Sequence, residues 1–189
     1  MTKTLLLACM LFAAMPFRAQ EYKTHHGDGI DDVLQYLPLA AVYGLKAGGV
    51  ESRHNLGKLS LNVATSYAFT VSIAYALKHT VHDRRPDGTD THAFPSGHSA
   101  IAFAGAHILQ KEYGRTSIWI PVAGYTVATA TALDRIRRNR HEWDDVLAGC
   151  AIGIASTELG YWLGNKILPD RSPLSFAVTP NGMTLRYNL

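Results

Sequence analysis

Charge is what this chain has least of. Asp, Glu, Lys and Arg make up 17% of its 189 residues, against roughly 25% in soluble domains. The stretches from Leu59 to Leu77, Ile118 to Leu133 and Val146 to Ile167 carry almost none. Net charge is only +3, and the basic residues gather in one or two loops rather than along a face, which excludes nucleic acid as a partner. Cysteine is nearly missing too. Cys9 lies in an apolar leader and Cys150 in an apolar helical stretch, so there is no disulfide framework and the mature chain carries one buried thiol. Repeats and low-complexity tracts are also absent, which excludes a solenoid.

What is present begins with Met1-Thr2-Lys3-Thr4 and the apolar run Leu5–Phe17, a short basic region and a hydrophobic core of signal-peptide length. Residues 1–20 read as a signal peptide or first membrane span, with Ala19 as the cleavage point, although Phe17 fits the small-x-small preference poorly. Leu6-Leu7-Ala8-Cys9 imitates a lipoprotein site but has too few apolar residues before it. Residues 21–30 form a polar linker, with His25-His26 a solvated pair. Glycine and proline then divide the chain into helices. They run over about 31–47 (Gly48-Gly49 its stop, Pro38 a possible kink), 60–81, 96–113 (Gly114 its stop), 117–133 and 144–168. In the tail, 169–189, Asn181-Gly182 between two alternating runs predicts a β-hairpin. The fold class is therefore all-α: an antiparallel bundle of five core helices, 31–168, with a short C-terminal hairpin. The uncharged second, fourth and fifth helices approach the roughly 20 apolar residues of a membrane span. Their small residues suit close packing in a bilayer, and equally an ordinary soluble bundle. Embedding in a membrane is the favoured reading, although a mean hydropathy of -0.01 is low for it.

Three short segments carry chemistry: Lys78 with Arg85-Pro86, Pro95-Ser96-Gly97-His98, and Arg135 with His141 and Asp145. If neighbouring helices run antiparallel, the second ends, the third begins, the fourth ends and the fifth begins on one side, so all three segments meet there. Lys78, Arg85 and Arg135 are three cations, two of them planar forks suited to phosphate. Ser96 and Gly97 at a helix N-terminus add backbone donors, a hydroxyl and the positive dipole end. His141 and Asp145 are four apart and meet on one helical turn. A carboxylate on one ring nitrogen leaves the other free to attack phosphorus, and a protonated His98 would serve as acid for the leaving oxygen. Each piece has a plainer reading. Lys78 and Arg85 could cap a helix C-terminus, Pro-Ser-Gly-His could be a turn and N-cap, and Arg135–Arg140 could be a cytoplasmic basic loop. Convergence of all of them by parity favours a phosphate site. The same cations repel a metal, so no zinc site is expected.

Together the segments resemble the signature of the type 2 phosphatidic acid phosphatase superfamily, which includes bacterial class A acid phosphatases and vanadium haloperoxidases. Lys-x6-Arg-Pro is met by Lys78, Arg85 and Pro86, Pro-Ser-Gly-His by residues 95–98, and Arg-x5-His-x3-Asp by Arg135, His141 and Asp145. Asp134 stands where the family usually has serine. The resemblance covers about 31–168. It implies a helical bundle, catalysis by His141, His98 and Asp145, phosphate binding by Lys78, Arg85, Ser96, Gly97 and Arg135, a phosphohistidine on His141, and no metal or other cofactor. It further implies a lipid phosphate or pyrophosphate substrate, phospholipid or isoprenoid, handled at the membrane surface. With the leader exported, the first helix begins outside and the second ends there, which puts the site on the periplasmic or outer face of a bacterial envelope. Arg137, Arg138 and Arg140 lie outside the motif and are assigned to anionic headgroups or a second phosphate. His79, His82, His92 and His107 are read as packing or loop residues. Rival readings are a soluble periplasmic acid phosphatase, a haloperoxidase, and an inactive lipid-binding bundle.

Overall fold

The computed structural model describes residues 29–169 and two strands, 174–179 and 182–187. The leader, Cys9, His25-His26 and Asn181 fall outside the described residues. Six helices follow in order: α1 (Ile30–Leu34), α2 (Leu37–Ala47), α3 (Leu56–Thr80), α4 (Gly97–Tyr113), α5 (Trp119–Arg137) and α6 (Trp143–Ile167). The expected first helix is thus two. Pro38 has no N–H to offer the carbonyl of Leu34, so the helix stops and restarts with Pro38 in its first turn. α3 begins earlier than expected because Asn55 caps it, its side chain accepting from Lys58 N at 2.9 Å. α5 continues beyond Leu133 to Arg137, which places Asp134 and Arg135 on the helix rather than in a loop. Ser96 caps α4 as read, and its stop at Gly114 is also met.

α4 is the central helix and packs against α2, α3, α5 and α6. Small residues make this possible: Ala100, Ala102, Ala104 and Ala106 are all fully buried. One apolar cluster joins Ala102, Phe103 and Ala106 to Ala128, Ala132 and Ile136 of α5 and Val146 and Cys150 of α6. A second joins Val42, Leu59, Val63, Ile108, Tyr113 and Tyr161 at the other end. α6 lies against α3 and α4 at glycine contacts. A Cβ on Gly149 would stand 2.4 Å from Ser96 O, and one on Gly160 2.4 Å from Ser66 N, so only glycine admits this approach. The end of α6 is tied to the start of α3 by Lys58 Nζ donating to Leu168 O at 2.5 Å, as antiparallel neighbours require. The strands β1 (Leu174–Thr179) and β2 (Gly182–Tyr187) pair antiparallel, and β1 lies along α3. Thr179 faces Gly182, so Gly182 belongs to β2 instead of to the turn.

Candidate functional site

The loops after α3 and α5 and the starts of α4 and α6 meet at one end of the bundle, as helix parity requires. They enclose a cavity of about 350 Å³ lined by Asp32, Lys78, Arg85, Gly97, His98, Arg135, Arg138, Arg140 and His141. Of the residues singled out by sequence, Lys78, Arg85, Gly97, His98, Arg135 and His141 are therefore brought together. Asp145 sits behind His141. Ser96 is not at the cavity: it is fully buried, and its hydroxyl accepts from Ser99 N at 3.4 Å and from Ser99 Oγ at 2.9 Å. Its service is to the cap.

His141 is 1% exposed and precedes Glu142, the N-cap of α6. Its Nδ1 lies 3.3 Å from Asp145 Oδ2, the same oxygen that accepts from Glu142 N at 3.0 Å. The pair meets through the capping turn rather than along a helical face, since His141 lies outside the helix. With Nδ1 committed to the carboxylate, Nε2 is the nitrogen left to react. Burial first, and then the cations Arg135, Arg85 and Lys78, hold His141 well below the ordinary imidazole value. The ring is therefore neutral at neutral pH. The backbone is turned toward this position by Asn139, whose φ of 53° lies in the left-handed region that Asn tolerates.

The cations are held in place one by one. Lys78 Nζ donates to His92 O at 2.9 Å, and Arg85 Nε to Asp90 Oδ1 at 2.9 Å. Arg140 Nη1 donates to Asp87 Oδ2 at 2.8 Å. Asp31 takes Arg135 Nη1 on one oxygen and Arg138 Nη1, at 2.5 Å, on the other. Among these cations two buried donors have no hydrogen-bond partner, Arg85 Nη1 and Arg135 Nε. Orphaned guanidinium donors are costly inside a protein, and an anion between them would remove the cost.

Of the three arginines outside the motif, expected to meet headgroups or a second phosphate, two are placed at the cavity. Only Arg137 faces outward, its side chain 80% exposed, whereas Arg138 and Arg140 line the cavity and are paired to carboxylates on the chain itself. Asp134 does not line the cavity. Burial and the neighbouring Asp31 push its carboxyl upward. His79, His82 and His92 form a tilted ring cluster beside Tyr75, and His107 is a buried strut between Tyr125 of α5 and Glu158 of α6, as the packing reading required.

Sequence reasoning missed Asp31 and Asp32. Asp31 is fully buried. Burial alone would push its carboxyl up, but Arg135 and Arg138 outweigh it and hold it below the usual carboxylate value. Asp32 Oδ1 lies 2.7 Å from His98 Nε2. Helix parity contained the signal, because the first helix must begin at the end where the second finishes. Among the described residues two groups have ligand atoms close enough to share a metal, Asp31–Asp32–His98 and Asp83–Asp144–Asp145. In the first, two guanidiniums already occupy Asp31, which disfavours a further cation.

The family model described as the PAP2 superfamily matches residues 59–168. This chain belongs to the PAP2 superfamily. The matched segment holds every motif residue, from Lys78 to Asp145, whereas Asp31 and Asp32 precede it. A curated relative, the lipid A 1-phosphatase of Porphyromonas gingivalis, is 41% identical over 151 residues, covering 79% of this chain. The match takes in 34% of that protein, so the chain spans about a third of its relative's length. No solved structure matches the chain.

Proposed function

We propose that this chain hydrolyses the phosphate or pyrophosphate monoester of a lipid at a bacterial membrane surface, through a phosphohistidine on His141. One observation carries the reading: a cavity walled by Lys78, Arg85, Arg135, Arg138 and Arg140, with unpartnered donors on two of them, opens beside a neutral, carboxylate-backed His141. Membership of the PAP2 superfamily supports it, and a relative that is a lipid A 1-phosphatase favours a lipid phosphate.

The cations and the α4 N-terminal amides at Gly97 and His98 bind the equatorial phosphoryl oxygens. His141 Nε2 attacks phosphorus, the P–O bond to the leaving group breaks, and His98 gives that oxygen a proton. Water then attacks the phosphohistidine, His98 takes the water's proton, and the N–P bond breaks to release phosphate. No step calls for a metal, so a chelator should leave turnover unchanged. Burial and then Arg135 hold His98 below the ordinary imidazole value, with Asp32 and Asp31 acting in the opposite sense. An incoming phosphate dianion raises it again.

The proposal extends to place. The helical body, from α1 through 168, is the phosphatase domain, the leader directs export, and the site faces the periplasm. Among the described residues only α6 is long and apolar enough to span a membrane, which keeps a soluble periplasmic phosphatase as the second reading. The test is phosphate release from a panel of lipid phosphates and one soluble ester, with and without chelator and detergent. His141→Ala should abolish release while circular dichroism and melting stay as in the parent. Retained turnover in that variant would overturn the mechanism.

A further inference from the structure

Both imidazoles of the site have a carboxylate on one nitrogen. His141 has Asp145 on Nδ1 at 3.3 Å, and His98 has Asp32 on Nε2 at 2.7 Å. The first pair is carried by the motif. The second is not, because Asp32 lies on α1, 66 positions before His98 and outside the matched segment. We infer that Asp32 is a positioning residue for the acid–base step: it keeps the proton on His98 Nε2, so that Nδ1 alone exchanges protons with the leaving oxygen and the attacking water.

The geometry limits the alternatives. A carboxylate 2.7 Å from Nε2 fixes that nitrogen as a donor in either charge state of the ring. Nδ1–H then goes to the ester oxygen in the first step, and Nδ1 recovers a proton from water in the second, with Nε2–H unchanged throughout. Asp32 is itself held. Its Oδ2 accepts from Gly29 N at 3.0 Å, and its neighbour Asp31 is anchored between Arg135 and Arg138. α1 thus seats Asp31 and Asp32 on opposite tasks, one ordering the phosphate cations and the other ordering the acid. The charged groups facing His98 are Asp31 and Asp32 from α1 and Arg135 from α5, with His141 from the loop before α6 coupled to it. Removing Asp32 leaves Arg135 less opposed, so the imidazolium becomes harder to hold.

The inference rests on the phosphatase reading, and its test separates the two. Asp32→Asn is nearly isosteric and the side chain is partly exposed. It should lower kcat on an alkyl phosphate, whose leaving oxygen needs a proton, by roughly 10- to 100-fold. First-turnover release of p-nitrophenol from p-nitrophenyl phosphate, which precedes the attack of water and whose leaving group departs unprotonated, should stay within about threefold. The basic limb of kcat against pH should move to lower pH, because the protonated ring has lost its carboxylate. Asp32→Glu should restore the leaving-group pattern, and Asp32→Asn added to His98→Gln should cost nothing further. An equal fall on both substrates with an unmoved basic limb would mean a merely structural role. A rise on both would mean that Asp32 blocks the site. Either result overturns the inference while leaving the phosphatase reading intact. A wild-type chain inactive on every ester sinks that reading, and the role of Asp32 with it.

Discussion

Asp31 is a carboxylate with no exposure whose two oxygens each hold a guanidinium. Such a bridge contributes little net stability when intact, yet removing one member strands a buried charge at a cost of about 3–5 kcal/mol. Asp31→Ala should therefore destabilise by several times more than Asp90→Ala, whose carboxylate is 41% exposed in its pair with Arg85. The sign of the pH effect follows from its lowered folded value. Stabilisation by Asp31 is fully present above the ordinary carboxylate value of 3.8 and is lost as pH falls through the lower folded one. Melting temperature should drop steeply below about pH 4 in the parent and less so in Asp31→Asn, as thermal scans from pH 6 to 2.5 would record. Legibility at this scale is uneven for a physical reason. That Lys78, Arg85, Arg135, His98 and His141 meet at one cavity could be read from motif spacing and helix order. Asp31 and Asp32 at a helix start look like ordinary compensation of the helix dipole, and the Ser96 hydroxyl suits an N-cap and an oxyanion contact equally.

Helix ends were legible wherever a cap or stop is chemically distinctive, as at Ser96 and Gly114. They were misjudged where tertiary contacts extend a helix. α5 passes Leu133 because its last turn carries Arg135 to Asp31, a partner 104 positions away that local propensity does not register. Glycine makes the same point in reverse. An exposed helical Gly→Ala gains up to about 1 kcal/mol, and Gly44 in α2, with nothing within 4 Å of a built Cβ, should behave so. Gly149 should not. Its Cβ would meet Ser96 O at 2.4 Å and Ser99 Cβ at 3.0 Å, forcing α6 off α4 at a cost of roughly 1–3 kcal/mol. The same displacement would disturb the Ser96 N to Asp145 O hydrogen bond of 2.9 Å that joins the loop before α4 to the start of α6. Gly149→Ala should thus lower both melting temperature and turnover, while Gly44→Ala raises the first and leaves the second alone. Denaturant melts and steady-state assays on the two variants would show the contrast.

For the molecule as a whole, alternating helix direction brings the chemistry to one end, and that much followed from element order before any coordinates. The solvent of the bundle did not, because small residues pack closely in water and in lipid alike. The outer surface argues for lipid along α6. Most of its apolar stretch lies outside the bundle core, and Leu147, Leu159 and Trp162 point outward. Lys166 sits over the Trp162 ring near the end remote from the site, the arrangement of an interfacial anchor. Transfer of these side chains to a bilayer is favoured by about 25 cal/mol per Å² of apolar area, whereas a soluble bundle would leave them in water. The chain should therefore float with phospholipid vesicles in a density gradient and resist carbonate extraction. Leu159→Glu with Trp162→Glu, both on α6 and away from the catalytic end, should weaken flotation sharply while the soluble ester is still hydrolysed. If the parent chain stays at the bottom of the gradient and needs no detergent, the bundle is a soluble one and its exposed apolar side chains must find a protein partner instead.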